Sequence, residues 1–286
     1  MKNTIRLFGI IALAAVIGFS IITCDDGSGD GGNSSQPHPP FNPTKWTLVT
    51  GDPLGTSQVN GVAFGNNTFV AFNINDTVGY STNGKDWTTV SAVTGAVNTT
   101  DVAFCNNTFI AVGYSGKMAY SSNGINWNTV TDSKFGSSPI NGVDFGNNTF
   151  VAVGESGKMA YSSDGKNWTQ VTDSTFDTST IYEAAYGNNT WVAVGNNSKM
   201  AYSSDGISWT KVTDSSFGGI AGIFGVTWSN GRFVACGVSR IAYSSDGKNW
   251  TQATSNFGSS SARSAAYGKG IWVAVGQSGK MAYSVD

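Results

Sequence analysis

Six pairs of neighbouring residues occupy one position of a repeat in this sequence, and their chemistry changes from copy to copy. The pairs are Asn60-Gly61, Thr100-Asp101, Asn141-Gly142, Tyr182-Glu183, Phe224-Gly225 and Arg263-Ser264. Most are polar or contain glycine, but an aromatic ring and charges of both signs enter in some copies. Because such groups together can orient a small polar ligand, Tyr182, Glu183, Arg263 and Asp101 are candidate ligand-binding residues. The alternative is that the residues at this position vary without a functional reason, because they lie at a solvent-exposed rim.

A second group of candidates repeats almost unchanged. Five copies carry a cation before the predicted third strand, namely Lys117, Lys158, Lys199, Arg240 and Lys280. Lys158, Lys199 and Arg240 extend the candidate set, because the repeat places them on one face among loops, where binding residues are common. Loops on that face also carry Asp132, Asp173 and Asp214. The alternative is that these cations and aspartates pair with one another, each exposed pair contributing about 0–1 kcal/mol.

The residue types exclude several kinds of chemistry. The sequence contains one histidine, His38, which lies in a Pro-rich stretch before the repeats. Histidine-based nucleophilic catalysis and a histidine-containing zinc site are therefore excluded from the repeated part, and we expect no metal and no cofactor. A formal net charge of −2 offers no basic excess for phosphates, which excludes nucleic acid as a partner.

The elements that position these residues follow from a repeated stretch, Tyr-Ser-Ser-Asp-Gly-x-x-Trp. Copies begin at Tyr161, Tyr202 and Tyr243, with looser copies at Tyr80, Tyr120 and Tyr283, so the spacings are 40, 41, 41, 41 and 40 residues. Turn signals such as Asn147-Asn148 separate four short β-rich runs in each copy, and this turn predicts that Phe145 pairs with Phe150. The pattern predicts an all-β fold, a six-bladed β-propeller of four-stranded blades over residues 44–286.

Trp46 supplies the one strand that the count of repeats lacks. Fourth strands are predicted to begin at Trp87, Trp127, Trp168, Trp209 and Trp250, whereas six first strands are predicted. The stretch Lys45-Trp46-Thr-Leu-Val49 reads like Asn167-Trp168-Thr-Gln-Val171 and lies 41 residues before its counterpart at Trp87. We therefore expect the N-terminal strand to complete the last blade, which ends at Asp286, and to close the ring.

The repeated stretch resembles the Asp-box, or BNR repeat, of sialidases and other six-bladed propellers. The resemblance covers residues 45–286, although the spacing from aspartate to tryptophan is one residue shorter here and Asn83 and Asn123 replace aspartate. It implies a structural role at the propeller rim, with the aspartate and serine capping a turn and the tryptophan packed into the blade. This role carries over to Asp164, Trp168, Asp205, Trp209, Asp246 and Trp250.

Sialidase activity is not expected despite this resemblance. The family needs three arginines for the substrate carboxylate, and the repeated part contains three in total, Arg232, Arg240 and Arg263. Because the repeat places Arg232 on the opposite face, the arginine triad is incomplete. A divergent sialidase-like glycoside hydrolase would have to use Glu183 and Asp101 as its carboxylate pair.

The N-terminal residues indicate export. Lys2 and Arg6 precede an apolar run from Leu7 to Ile22, and Cys24 stands where a signal peptide would be cleaved. This order resembles the lipobox of bacterial lipoproteins, although two flanking residues depart from it. We expect a signal peptide at 1–23, a lipid-anchored flexible linker at 24–43, and membrane attachment through Cys24 in the bacterial cell envelope, periplasmic or on the cell surface.

The remaining cysteines do not indicate a disulfide framework. Cys105 and Cys236 fall in predicted blades three apart and at different depths. We therefore expect no bridge between them and two free thiols.

These observations favour a non-catalytic function. We expect a monomeric, membrane-anchored propeller that serves as a binding or adhesion module for a glycan or protein. The alternatives are a divergent sialidase-like glycoside hydrolase and a structural scaffold of the envelope.

Overall fold

The computed structural model describes residues 49, 54–55, 57–90, 98–219, 221–255 and 257–285. The predicted signal peptide, the linker, Cys24 and the predicted strand at Trp46 lie outside these residues. Six antiparallel sheets follow one another along the chain, and we number them as blades 1 to 6. Blades 1 to 5 have four strands each, and blade 6 has three within the described residues. No helix in the described ranges is long and apolar enough to span a membrane.

Strands pair in chain order within each blade, and we call them inner, second, third and outer. The inner strands are β1 (Val59–Gly65), β5 (Thr99–Cys105), β9 (Ile140–Gly146), β13 (Ile181–Gly187), β17 (Ile223–Ser229) and β21 (Ala262–Gly268). The second strands are β2 (Thr68–Asn73), β6 (Thr108–Gly113), β10 (Thr149–Gly154), β14 (Thr190–Gly195), β18 (Arg232–Gly237) and β22 (Ile271–Gly276).

The third and outer strands are shorter. The third strands are β3 (Val78–Ser81), β7 (Met118–Ser121), β11 (Met159–Ser162), β15 (Met200–Ser203), β19 (Arg240–Ser244) and β23 (Met281–Ser284). The outer strands are β4 (Thr88–Val90), β8 (Asn128–Thr129), β12 (Thr169–Gln170), β16 (Thr210–Lys211) and β20 (Thr251–Ala253). Three second-to-third connections contain a 3₁₀ turn, at Tyr114–Gly116, Glu155–Gly157 and Gln277–Gly279.

The hairpin between inner and second strands forms as the sequence predicts. Asn147 and Asn148 have positive φ angles of 48° and 57°, a conformation that asparagine tolerates and that matches the twist of a two-residue hairpin. The turn pairs Phe145 with Phe150, whose ring centroids are 4.6 Å apart, so the predicted register is confirmed. An aromatic pair recurs at this position in every blade, at 4.4 to 5.2 Å.

The second strand is apolar on both faces because each middle blade lies between two others. In β10, Val151 and Ala152 point to opposite faces, and both are fully buried. Val151 contacts blade 4 where Gly206 has a φ of 76°, and a Cβ on Gly206 would lie 2.9 Å from the Val151 Cγ2 atom. The glycine of the repeated stretch thus serves both the turn and the approach of the neighbouring blade.

Side chains of the repeated stretch hold the turn between third and outer strands. In blade 3, Asp164 Oδ1 accepts the N–H groups of Lys166 and Asn167, each at 2.8 Å. Trp168 is buried, and its Nε1 donates to the carbonyl of Gly165 at 3.1 Å. Burial disfavours the Asp164 carboxylate, but the N–H donors outweigh burial and hold the pKa of Asp164 well below its usual range. The same contacts recur at Asp205 to Trp209 and Asp246 to Trp250.

Blade 1 makes this turn with two residue types exchanged. Asn83 stands where blade 3 has Asp164, and Asp86 stands where blade 3 has Asn167. The Asn83 amide donates to Asp86 Oδ2 at 2.8 Å, and in blade 3 the Asn167 amide donates to Asp164 Oδ2 at 2.8 Å. In these two turns one amide pairs with one carboxylate, and either position can carry either group.

The two cysteines of the described part differ in their bonding. Cys236 is a buried free thiol, as the sequence predicts. Cys105 is also buried but is disulfide-bonded, so the prediction of a free thiol is wrong at Cys105. Because Cys236 is free, no bridge joins Cys105 to Cys236, as the sequence predicts.

The exchanged pair gives a double-mutant prediction. Asn83→Asp alone places two carboxylates within hydrogen-bond distance, and we expect it to lower the free energy of unfolding by roughly 0.5–1 kcal/mol. Adding Asp86→Asn recreates the blade 3 arrangement, so the double variant should regain wild-type stability in urea unfolding. Additive losses in the double variant would contradict this account.

Candidate functional site

The variable position of the sequence coincides with a β-bulge in each inner strand. The pairing of inner and second strands shifts register there, so one extra residue is left out of each ladder. The extra residues are Asn60, Thr100, Asn141, Tyr182, Phe224 and Arg263. A bulge changes the direction of its side chain. These six side chains therefore occupy equivalent positions in the six blades.

Bulge residues of blades 1 to 3 bind the neighbouring blade. Asn60 Nδ2 donates to the carbonyl of Thr99 at 2.8 Å, and Asn141 Nδ2 donates to the carbonyl of Ile181 at 2.8 Å. Thr100 Oγ1 donates to the carbonyl of Ile140 at 2.6 Å. Each acceptor is the residue before the bulge in the next blade. A small polar side chain at the bulge is therefore a blade-to-blade connector.

Bulge residues of blades 4 to 6 form a stack instead. The rings of Tyr182 and Phe224 lie 5.4 Å apart, and the guanidinium carbon of Arg263 lies 3.9 Å from the Phe224 ring centroid. The Tyr182 hydroxyl donates to Asn196 Oδ1 at 3.0 Å, within its own blade. Partial burial raises the pKa of Tyr182 and lowers the pKa of Arg263. All three stacked side chains are half-buried, so part of each remains open to solvent.

The candidate acids beside the bulges are engaged by the next blade. Asp101 Oδ2 accepts the N–H of Val143 at 3.0 Å, and Glu183 Oε2 accepts the N–H of Val226 at 3.1 Å. Glycine makes room for the reach of Glu183, because a Cβ on Gly225 would lie 3.1 Å from Glu183 Oε2. Each of these two carboxylates thus caps an N–H of the neighbouring inner strand.

Asp144 is a third carboxylate of this kind, and sequence reasoning missed it. Its Oδ1 accepts the N–H of Phe145 at 2.6 Å, and its Oδ2 accepts the N–H of Tyr186 in blade 4 at 3.2 Å. Burial raises the pKa of Asp144 to about 7, and the charge of Asp101 adds to the effect while the N–H groups oppose it. Burial likewise raises the pKa of Asp101 to about 6. The available signal was that four of the other five blades carry alanine at this repeat position.

The repeated cations lie on the connections between blades rather than at the stack. Lys158 Nζ donates to the carbonyl of Phe135 at 2.6 Å, Lys199 Nζ to that of Phe176 at 2.7 Å, and an Arg240 Nη to that of Ser216 at 3.0 Å. Each acceptor belongs to the loop that precedes the cation's own blade. In each of these three loops a serine donates to a carbonyl of the preceding blade, namely Ser133 to Gly116, Ser174 to Gly157 and Ser215 to Ser198. Each such loop is thus hydrogen-bonded both to the blade that precedes it and to the blade that follows it.

The alternative, that these cations pair with Asp132, Asp173 and Asp214, is not what the described residues show. Asp132 pairs with Lys134 of its own loop at 2.5 Å, and Lys199 pairs with Asp177 at 2.6 Å. Asp173 and Asp214 instead accept backbone N–H groups two residues on, at 2.8 Å. The short aspartate side chains stabilise turns of their own loops. The longer cationic side chains reach loop carbonyl groups, at Phe135, Phe176 and Ser216.

Comparisons with known proteins find similarity in structure but not in sequence. No family model matches the chain, and no curated protein matches it significantly. YCF48 bound to D1 peptide is similar over 80% of this chain and 79% of that chain, at 14% identity and a TM-score of 0.62. The GH74 xyloglucanase from Xanthomonas campestris is similar over 78% of this chain and 44% of that chain, at 12% identity and a TM-score of 0.62.

Virginiamycin B lyase from Staphylococcus aureus, with quinupristin, is similar over 82% of this chain and 86% of that chain, at 9% identity and a TM-score of 0.62. These neighbours are β-propellers, and the six successive meander sheets match them. The chain is a β-propeller. At these identities the likeness concerns the fold alone, so the predicted fold class is confirmed and the neighbours' activities do not transfer.

The propeller brings only part of the predicted site together. Tyr182, Glu183 and Arg263 lie on the inner strands of blades 4 and 6, joined by Phe224, which the sequence did not single out. Asp101 lies in blade 2, and the repeated cations lie on the loops between blades. Within the described residues no group of three or more histidine, cysteine or carboxylate side chains could hold a metal ion.

The raised pKa of Asp144 predicts how stability depends on pH. The folded protein holds the Asp144 proton up to about pH 7, whereas the unfolded chain loses it near pH 4. The folded state therefore loses stability relative to the unfolded chain as pH rises from about 4 to about 7. Asp144→Asn should reduce this slope by roughly 1–3 kcal/mol between the two pH values, and the slope that remains comes from Asp101, whose pKa burial raises to about 6. Urea unfolding of both proteins at pH 4.5 and 7.5 tests it, and parallel pH profiles would contradict the assignment.

Proposed function

We propose that this propeller is a non-catalytic binding module that holds a glycan or protein ligand against the Tyr182–Phe224 pair. The proposal is supported by a difference between the bulge residues of blades 1 to 3 and those of blades 4 to 6. In blades 1 to 3 the bulge residue has a small polar side chain that donates a hydrogen bond to the next blade, and this bond is the structural role of the position. Tyr182 and Phe224 do not make that bond to the next blade in the described structure.

The stack has the chemistry of a recognition surface. Aromatic rings supply a large contact area with little loss of side-chain entropy on binding. Asn196 and Arg263 flank the rings with an amide and a guanidinium group. A ligand with an apolar face and hydrogen-bonding edges, such as a pyranose ring or a peptide side chain, would match this arrangement.

The structural neighbours support both ligand classes at the level of the fold. YCF48 is seen with a bound D1 peptide, and the Xanthomonas protein is a xyloglucanase. One shared architecture thus accommodates a peptide in one protein and acts on a glycan in another. We therefore keep both classes as ligands to be tested.

The state of the carboxylates favours binding over hydrolysis. A glycoside hydrolase needs two carboxyl groups that face one substrate, about 5–5.5 Å apart for retention and about 6.5–9.5 Å for inversion. Asp101 and Glu183 belong to blades 2 and 4, and each caps an N–H of its next blade. These hydrogen bonds give both acids a structural role, which favours binding over hydrolysis.

Membrane attachment through Cys24 remains part of the proposal, together with a monomeric state and a place in the cell envelope. A thioether-linked lipid uses the Cys24 sulfur, so Cys24→Ser should release the protein from the membrane fraction. Mass spectrometry of the Cys24 peptide should show the added lipid in the wild-type protein. The anchor and a Cys105 disulfide exclude each other, because Cys24 is the one cysteine besides Cys105 and Cys236. If the lipid takes the Cys24 sulfur, thiol labelling of the mature protein should find Cys105 free. A soluble wild-type protein, or a disulfide between Cys24 and Cys105, would contradict the anchor.

Ligand binding should depend on the two stacked rings. We would screen the chain on glycan and peptide arrays and then measure affinity for each positive ligand by calorimetry. Tyr182→Ala/Phe224→Ala should weaken binding at least about 10-fold, because each ring contributes buried contact area. Tyr114→Ala is the matched control, since Tyr114 is an exposed tyrosine on the second-to-third connection of blade 2.

Three outcomes would contradict the binding proposal. Equal affinity of wild type and the double variant would show that the ligand binds elsewhere. Release of reducing sugar that disappears in Glu183→Gln would indicate the hydrolase instead. The absence of any ligand on either array would favour the structural scaffold.

A further inference from the structure

A second set of equivalent residues lies beside the bulges, one on the second-to-third connection of each blade. The backbone N–H of each donates to the carbonyl of the residue two positions before the bulge, for example from Glu155 to Pro139 at 3.0 Å and from Asn196 to Thr180 at 2.9 Å. In blade 4 the two neighbouring side chains touch, since the Tyr182 hydroxyl donates to Asn196 Oδ1. The six connection residues are Ile74, Tyr114, Glu155, Asn196, Val238 and Gln277.

One residue of each set carries a charge. Glu155 is the charged residue among the six connections, and Arg263 is the charged residue among the six bulges. Five blades form the connection without a carboxylate, and five form the bulge without a cation. The fold therefore requires neither charge, and a structural role that the repeat shares does not explain them.

Neither charge is neutralised within the part of the chain that the structure describes. Glu155 and Arg263 take part in no ion pair there, and the exposed Glu155 carboxylate accepts no hydrogen bond. The Nε atom of Arg263 is buried without a hydrogen-bond partner. Because an unsatisfied donor on a partly buried cation is costly, the guanidinium group would gain from a carboxylate supplied by a ligand.

The two charges stand at the two ends of the aromatic stack. Glu155 belongs to blade 3, the stacked rings belong to blades 4 and 5, and Arg263 belongs to blade 6. The Tyr182 hydroxyl responds to both charges. Burial raises the pKa of Tyr182, the positive charge of Arg263 lowers it, and the negative charge of Glu155 raises it. A ligand that lies on the rings is therefore within reach of both charges.

A peptide matches this arrangement better than a glycan does. A glycan of neutral or acidic sugars offers no cation for Glu155, whereas peptides carry both signs of charge within a few residues. In an extended peptide, alternate side chains lie on one face at a spacing of roughly 6–7 Å. The rings of Tyr182 and Phe224 lie 5.4 Å apart. Three alternate side chains can thus contact Glu155, the rings and Arg263 in turn.

We infer that the ligand of the stack is a peptide segment in which a basic, an apolar and an acidic side chain alternate along an extended chain. This inference rests on the proposed function, since it names the ligand of that same site. Glu155 binds the basic side chain, Tyr182 and Phe224 bind the apolar one, and the Arg263 guanidinium donates to the acidic one. Because the site recognises side chains, either direction of the peptide satisfies it.

NMR titrations of the full chain with capped pentapeptides test this ligand class, because saturation transfer detects weak binding. The probes are Lys-Ser-Leu-Ser-Asp, the same peptide reversed, the neutral Gln-Ser-Leu-Ser-Asn and the doubly acidic Glu-Ser-Leu-Ser-Asp. We expect the better of the two mixed-charge peptides to bind about 10-fold more tightly than the neutral one, because each exposed ion pair contributes about 3-fold.

Charge substitutions in the site give a sharper test. Glu155→Gln and Arg263→Gln should each weaken the mixed-charge peptide by about 3-fold and leave the neutral peptide unchanged. Glu155→Lys should reverse the preference, so that the doubly acidic peptide binds more tightly than the mixed one. Unfolding cannot produce such a reversal. Arg232→Gln is the matched control, because Arg232 lies 5.3 Å from the Tyr243 ring at the hairpin end of blade 5, away from the bulges.

Equal affinity for the mixed-charge and neutral peptides, or no binding of any peptide, would overturn the inference. If peptides of all charges bind equally and Tyr182→Ala/Phe224→Ala abolishes that binding, the proposed function stands without this ligand class. If the double variant binds as the wild type does, both proposals fail. Tightest binding of the doubly acidic peptide to the wild type would show that the site takes an anionic ligand, and the inference would be wrong.

Discussion

Each blade of this propeller needs a neighbour on both faces, and this packing requirement organises the rest of the structure. The second strands bury apolar side chains on both sides, as Val151 and Ala152 show in blade 3. Such a strand cannot be stable with one face in water, since each exposed large aliphatic side chain would forfeit roughly 1.5–3 kcal/mol of burial. The tight approach of neighbours in turn fixes glycine at positions such as Gly206.

A second constraint arises on the inner strands, whose channel-side backbone groups have no further strand to pair with. Side chains of neighbouring blades supply some of the missing partners. Asn60, Thr100 and Asn141 donate to carbonyl groups, while Asp101, Asp144 and Glu183 accept N–H groups. Charge on the inner strands therefore has a structural explanation, which moves the functional hypothesis from the acids to the aromatic rings of Tyr182 and Phe224.

Much of the fold could be predicted from the sequence because the repeat makes local signals redundant. The Asn147-Asn148 turn determined the pairing of Phe145 with Phe150, and the spacing of the tyrosines determined the number of blades. The turn prediction rests on contacts between residues close in sequence, and the number of blades follows from the period of the repeat. Both kinds of information are present in the sequence itself.

The site was less predictable because its contacts, from blade to blade and from the cations to loop carbonyl groups, join residues 23 to 43 positions apart. The reach of Lys158 to the Phe135 carbonyl depends on how a loop folds, which charge patterns do not encode. Asp144 could not be assigned a role from the sequence, because its partner, the N–H group of Tyr186, lies in the next blade. Phe224 stands in one of the variable pairs, but only the structure shows it between Tyr182 and Arg263.

In the proposed function, the fold does not need the aromatic pair, and binding of a ligand explains why the pair is present. The most direct measurement is the free energy of unfolding of Tyr182→Asn/Phe224→Asn, which gives both positions the residue that blades 1 and 3 carry. Because each asparagine could donate to the next blade, we predict stability equal to the wild type within about 1 kcal/mol. A loss of several kcal/mol would contradict the account, since it would show that the rings are part of the core.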